Sequence, residues 1–336
     1  MQTAPGPDAG VRNTLSGALR AASRAPGIGT EHLLVALAGA AGRTGSQRGA
    51  AEVLDEFGVT PVPLTDVLRQ QEWTATDEAT PDAETGPLGD LERFGKKRNP
   101  VSYTGAARAA LHHAIATAAA AGRTEFHAGD LLDALLAAPN RAVEMVERSG
   151  ADPRRVRDRL AGGPAPDPAP AGLAPDLHPT LDRVLGRARY RSGGFTSRMA
   201  HGILQATGGN LARTPVPWAD SEAREQADRL GHPKVRTAHL LLALLAMEEV
   251  IRHAPHLAAA VAERYSGAVA LVEAGATYAA ARAALAGEPP GDDPRRYKSY
   301  VDGRRDTTDL VAAILDGNTS ASRLLAALGV AKPDLS

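Results

Sequence analysis

Ten histidines and no cysteine set the side-chain chemistry open to this 336-residue chain. A histidine can serve as a general base or a metal ligand near neutral pH. His32 and His239 both stand at the third place of a Thr-x-His-Leu-Leu stretch, where packing or capping is the plainer use. His112-His113 and His253-x-x-His256 offer nitrogen donors, but no Glu-flanked His-x-x-x-His and no His/Asp cluster accompanies them. No Gly-x-Ser-x-Gly elbow presents a serine nucleophile, and the lack of cysteine closes the thiol route. Residues 39–46, Gly-Ala-Ala-Gly-Arg-Thr-Gly-Ser, come nearest to a phosphate loop and lack its lysine. These readings predict no catalytic set, no metal site and no cofactor: a binding protein rather than an enzyme.

The residues worth placing therefore belong to a repeat. Thr30-Glu31-His32-Leu33-Leu34-Val35-Ala36-Leu37 is matched by Thr237 to Leu244, and more loosely by the stretches beginning at Ala128 and Thr307. In each, a polar start runs into an apolar helical face. Thr30 is expected to cap the first turn of its own helix, Glu31 to favour the positive end of the helix dipole, and Leu33, Leu34 and Leu37 to form a buried stripe. The ending repeats as well. An apolar residue four before a glycine, then an apolar or small residue, recurs as Leu54/Gly58/Val59, Val146/Gly150/Ala151, Leu271/Gly275/Ala276 and Leu325/Gly329/Val330. This predicts helices closed by a left-handed glycine. The start-to-glycine separations are 28 (30 to 58), 22 (128 to 150), 38 (237 to 275) and 22 (307 to 329), so the third unit carries the largest insertion, at 248–266.

Composition supplies the frame for these elements. Hydrophobic residues make up 43% and aromatics only 4%, which predicts a core of Ala, Leu and Val packed between helices, an all-α class. A net charge of −1 argues against general binding of nucleic acid or an anionic membrane. The longest strongly apolar run, 240–247, is far shorter than the roughly 20 residues a membrane helix needs. With no cysteine and no apolar signal core at the start, a soluble cytoplasmic protein is expected. Residues 1–10 read as a disordered leader. Residues 11–161 form a first domain (repeats about 11–70 and 102–161), with an exposed connector at 74–101. Residues 162–176, dense in Pro, Ala and Gly, form a linker. Residues 177–336 form a second domain with helices at 181–190, 195–206, 219–230 and 278–285 (repeats about 195–286 and 305–332). Residues 287–305 read as irregular, leaving the fourth unit without a first helix.

Ile28-Gly29-Thr30-Glu31-His32-Leu33-Leu34, Leu230-Gly231-His232 followed by Thr237 to Leu242, and the repeat opening Phe195-Thr196-Ser197-Arg198, with Tyr103-Thr104 a weaker version, resemble the Clp N-terminal (Clp R repeat) domain. In Clp-family AAA+ unfoldases that domain docks substrates and adaptors. The resemblance implies two degenerate tandem copies, each a pseudo-twofold pair of helical repeats, with the ATPase modules absent. It implies partners among Clp unfoldase or protease components, their substrates, or peptide-like ligands including Clp-directed cyclic-peptide antibiotics, with the chain acting as adaptor or decoy; a regulator of an unrelated partner, and after it a cryptic hydrolase, are the alternatives. It also implies that aromatic residues near repeat openings, Tyr103, Phe126 and Phe195, line a peptide groove, and that Thr30 and Thr237 mark the binding face. Clp C-type members bind phosphoarginine through the Glu of this motif. Only Glu31 supplies it here, since Gly129, Ala238 and Thr308 fill the other positions.

Overall fold

Helices close most often where the local sequence forces the chain to turn, and here that device is glycine. In the computed structural model, Gly58, Gly150, Gly275 and Gly329 all take positive φ (76°, 80°, 99° and 68°). The next N–H folds back onto the carbonyl five residues earlier: Val59 to Leu54, Ala151 to Val146, Ala276 to Leu271 and Val330 to Leu325, at 2.9–3.2 Å. The four repeated endings are thus the left-handed caps that the sequence predicts.

The structure describes residues 4–40, 47–70, 72–78, 88–93, 102–167, 172–190, 210–287 and 291–335. They are overwhelmingly helical, an all-α fold whose strand content is one two-residue parallel pairing and an isolated bridge. The chain divides into two compact units, Met1–Pro168 and Ala169–Ser336. Among the described residues no single helix is long and apolar enough to cross a membrane.

The first unit contains α1 (Ala9–Ala21), α2 (Thr30–Ala38), α3 (Gln47–Glu56), α4 (Pro61–Gln70), α5 (Gly105–Ala120), α6 (Ala128–Leu135), α7 (Arg141–Arg148) and α8 (Pro153–Leu160). Helix α1 packs on α2, α5 on α6, α2 on α7 and α3 on α6. Leu15, Leu33, Leu34, Leu37, Leu111 and Leu131 are fully buried between them. The segments leading into these helices also pair. Gly6–Pro7 (β1) runs parallel to Glu125–Phe126 (β2), and Ile28 bridges to Tyr103. Residues 4–10 are therefore no disordered leader. Gly6 and Asp8 donate to the carbonyls of Thr124 and Phe126, and the Asp8 carboxylate caps α1 by accepting the Val11 N–H at 2.7 Å. Polar composition concealed a segment fixed by backbone pairing.

The second unit contains α9 (His178–Val184), α10 (Pro215–Arg229), α11 (Thr237–His253), α12 (Ser266–Glu273), α13 (Tyr278–Gly287), α14 (Lys298–Val301), α15 (Thr307–Ile314) and α16 (Ser320–Ala327). Helix α9 starts before the expected 181 and stops at Val184, where Gly186 turns left-handed. Helix α10 begins at Pro215 rather than near 219, because proline fits a first turn whose N–H groups have no intrahelical acceptor. The expected insertion at 248–266 is partly the extension of α11 to His253 and partly 3-10 turns at Pro255–Leu257 and Ala259–Tyr265. The helix expected at 195–206 lies outside the described residues. Between 291 and 305 the one helix is the single turn α14.

Candidate functional site

Thr30 does not cap its own helix. Gly29 holds the cap position of α2 in extended conformation, and the Gly29 N–H donates to His32 Nδ1 at 3.0 Å. The Thr30 hydroxyl instead accepts the N–H of Ala142, in the first turn of α7, at 3.1 Å. The second unit repeats the arrangement. Arg236 caps α11 with its N–H on His239 Nδ1 (2.9 Å), and the Thr237 hydroxyl accepts the Ala321 N–H of α16 at 3.0 Å. Thr307 does the same for α12, accepting the Ala268 N–H at 3.1 Å. The repeated threonine thus serves the partner helix, while the repeated histidine serves its own.

A carboxylate completes each of the two Thr-x-His starts. Asp77, buried, accepts the Thr30 N–H at 3.0 Å and the hydroxyls of Thr30 and Thr104, the latter residue being the cap of α5. Asp293 accepts the Thr237 N–H (2.8 Å), the Thr237 hydroxyl (2.7 Å) and the Ser320 N–H (2.7 Å). Asp77 comes from a segment read as connector and Asp293 from one read as irregular, and each sits where first-turn N–H groups and the helix dipole favour an anion.

Glu31 lies beside this seat. Its side chain is almost wholly buried, with Oε1 3.2 Å from Arg141 and 3.3 Å from His32 Nδ1, while Oε2 has no hydrogen-bond partner. Burial, and then the neighbouring Asp77 carboxylate, push the Glu31 carboxyl above its ordinary range. Burial likewise pushes His32 down. The Arg141 guanidinium lies 5.7 Å from the centre of the Trp73 ring, and that of Arg148 lies 5.8 Å from it. Glu144, paired with Arg148, accepts the N–H groups of Thr74 (3.1 Å) and Ala75 (2.8 Å). Burial pushes the Glu144 carboxyl up, but those two N–H groups, the Thr74 side chain and the Arg148 charge together hold it below the usual carboxylate range. At the position equivalent to Glu31, Gly129 borders a cavity of about 550 Å³ lined by residues that include Ala50, His127, Asp133 and Arg157.

The structure brings Thr30 and Glu31 together and places Thr237 at the equivalent point of the other unit. The aromatic expectations require correction. Phe126 is fully buried in the first core. Tyr103 is also buried, its hydroxyl donating to the Leu91 carbonyl at 3.1 Å and its phenol pushed up to about 12 by burial. Neither ring lines an open groove, because an aromatic-poor core draws its few rings inward. Phe195 lies outside the described residues. Sequence reasoning missed Trp73, Asp77, Arg141, Arg148 and Asp293; the only local signal was a tryptophan beside acidic residues, just before the segment read as a connector. Among the described residues no group of three or more His, Asp or Glu gathers as metal ligands. Comparison with protein-family models, curated proteins and solved structures returned no match.

Proposed function

We propose that the chain is a docking protein built from two paired-repeat domains of the Clp N type. It takes peptide segments, Clp unfoldase or protease components, or Clp-directed cyclic peptides, and serves as adaptor or decoy. Its chemistry is recognition: charged and hydrogen-bonding groups gathered at helix starts.

One observation carries this reading. The same device stands in both units: a threonine at the start of one helix satisfies the first turn of a second, Thr30 for Ala142 and Thr237 for Ala321, with one carboxylate lodged at each start. Such a device, returned in the second unit by Thr307 for Ala268, favours related repeats over two unrelated bundles. Divergence then falls on the second position of the motif, since its Glu survives only as Glu31.

Affinity capture tests the reading. The intact chain, immobilised and presented with purified Clp unfoldase, protease and adaptor subunits, is expected to retain at least one of them above an unrelated helical bait. Retention of none, together with no calorimetric heat from Clp-binding cyclic peptides, overturns it.

A further inference from the structure

The segment 72–78, Glu-Trp-Thr-Ala-Thr-Asp-Glu, has the burial pattern of an extended peptide lying on a surface. Residues 72, 74, 76 and 78 are exposed, 73 and 75 half-buried, and 77 buried. Alternate side chains therefore face the protein, and a bend at Thr74 and Ala75 turns both their N–H groups to one acceptor. What they meet is a set of complementary groups. Trp73 has a guanidinium from Arg141 and another from Arg148 near its ring, and the N–H groups of Thr74 and Ala75 fall on Glu144. Asp77 seats on the Thr30 N–H and the hydroxyls of Thr30 and Thr104. An aromatic held by cations and, four residues on, a carboxylate at a helix start is a recognition pattern for a peptide, supplied here by the chain itself.

We propose that 72–78 is a built-in occupant of a docking seat, and that the seat takes in its place a partner segment bearing an aromatic residue followed four positions later by an aspartate. This deepens the docking reading and rests on it. The strap is lightly held compared with its counterpart in the second unit. There, beyond Asp293, Arg295 pairs with Asp316, the Tyr297 hydroxyl donates to Asp220, and Tyr300 is buried in the core. In the first unit nothing of 72–78 enters the core as deeply as Tyr300 does, and residues 72, 74, 76 and 78 face solvent. The cation-lined place of Trp73 and the helix-start place of Asp77 define the two anchors a partner segment must supply. A tethered strap competes at high effective concentration, so an outside peptide succeeds only by matching these contacts or by being delivered at high local concentration.

The test uses the full chain and the peptide Glu-Phe-Thr-Ala-Thr-Asp-Glu, with a scrambled peptide as control. Trp73 and Trp218 are the two tryptophans, and Trp218 is fully buried, so acrylamide quenching reports chiefly on Trp73. Saturating peptide is expected to raise quenching of the wild type, the scramble is not, and R141A/R148A is expected to lose the response. By calorimetry, W73A/D77N, which weakens the strap and leaves the seat intact, is expected to bind the peptide at least about tenfold more tightly than wild type. Unchanged quenching in the wild type, or an equal response to the scramble, overturns the proposal. Should W73A/D77N fail to fold, the wild-type quenching decides alone. Retention of a Clp component with no peptide response leaves the docking reading standing and removes this seat; the converse keeps the seat and removes the Clp partner.

Discussion

The hydroxyl of Thr30 accepts the backbone N–H of Ala142 at 3.1 Å, tying the start of α2 to the start of α7 across 112 residues of sequence. A donor in the first turn of a helix has no intrahelical acceptor, and here it is buried, so the bond replaces water that cannot reach it. Thr30→Val keeps the shape and removes the acceptor. It is expected to cost the first unit roughly 1–3 kcal/mol, while Thr30→Ser costs far less. Denaturant unfolding followed through Trp73 distinguishes them; equal costs for Val and Ser contradict the cross-cap. Thr237→Val is expected to do the same to the second unit, read through Trp218.

His239 makes the second unit acid-sensitive. Its Nδ1 accepts the Arg236 N–H, so Nε2 carries the proton and donates to His232 Nδ1 at 2.8 Å. Protonating the His239 ring at Nδ1 breaks the bond from Arg236, while Asp293 nearby partly favours the charge. Burial, followed by His232, lowers the His239 pKa to about 4. The folded pKa lies below the unfolded one, so the contribution is fully present above about 6.5 and is lost as pH falls toward 4. It amounts to about 3 kcal/mol. The midpoint for Trp218 unfolding should fall across that window and fall less in His239→Gln; identical slopes sink the assignment.

Glu31 is held against its own preference. Its folded pKa is raised by burial and by Asp77, so whatever stability its protonated form adds at low pH is lost as pH rises through the folded value. Glu31→Gln is therefore expected to raise the first unit's midpoint at pH 7. If the docking reading holds, it weakens ligand binding at the same time, the trade typical of functional positions. A variant that loses stability at pH 7 contradicts the electrostatic account.

Gly275 sits at φ +99° with nothing within 4 Å of where a Cβ would stand. Gly275→Ala therefore meets no steric obstacle beyond its own backbone and should cost about 1–2 kcal/mol in the second unit. A neutral substitution would show that the cap is not left-handed in solution.

Features set by neighbours in sequence were legible before the structure, and those set across the fold were not. Leu54, Gly58 and Val59 lie within six residues and spell a helix end by themselves. Thr30 looked like a local cap because its true partner, Ala142, stands in another helix. Asp77 hid in an acidic connector 47 residues from the N–H it accepts. Tyr103 and Phe126 were recognisable as rings near repeat openings, but whether a ring faces a groove or a core is decided by packing, and packing chose the core. Asp8 was passed over for the same reason: the pairing of its segment with Thr124 and Phe126 leaves no trace in the composition of 4–10.

Calorimetric titration of the intact chain with each purified Clp component, run in parallel on wild type and W73A/D77N, tests the central claim most directly. The account predicts saturable binding of at least one component, tighter in W73A/D77N because the built-in occupant has been loosened. No heat from any component with either protein, both folded by circular dichroism, contradicts it.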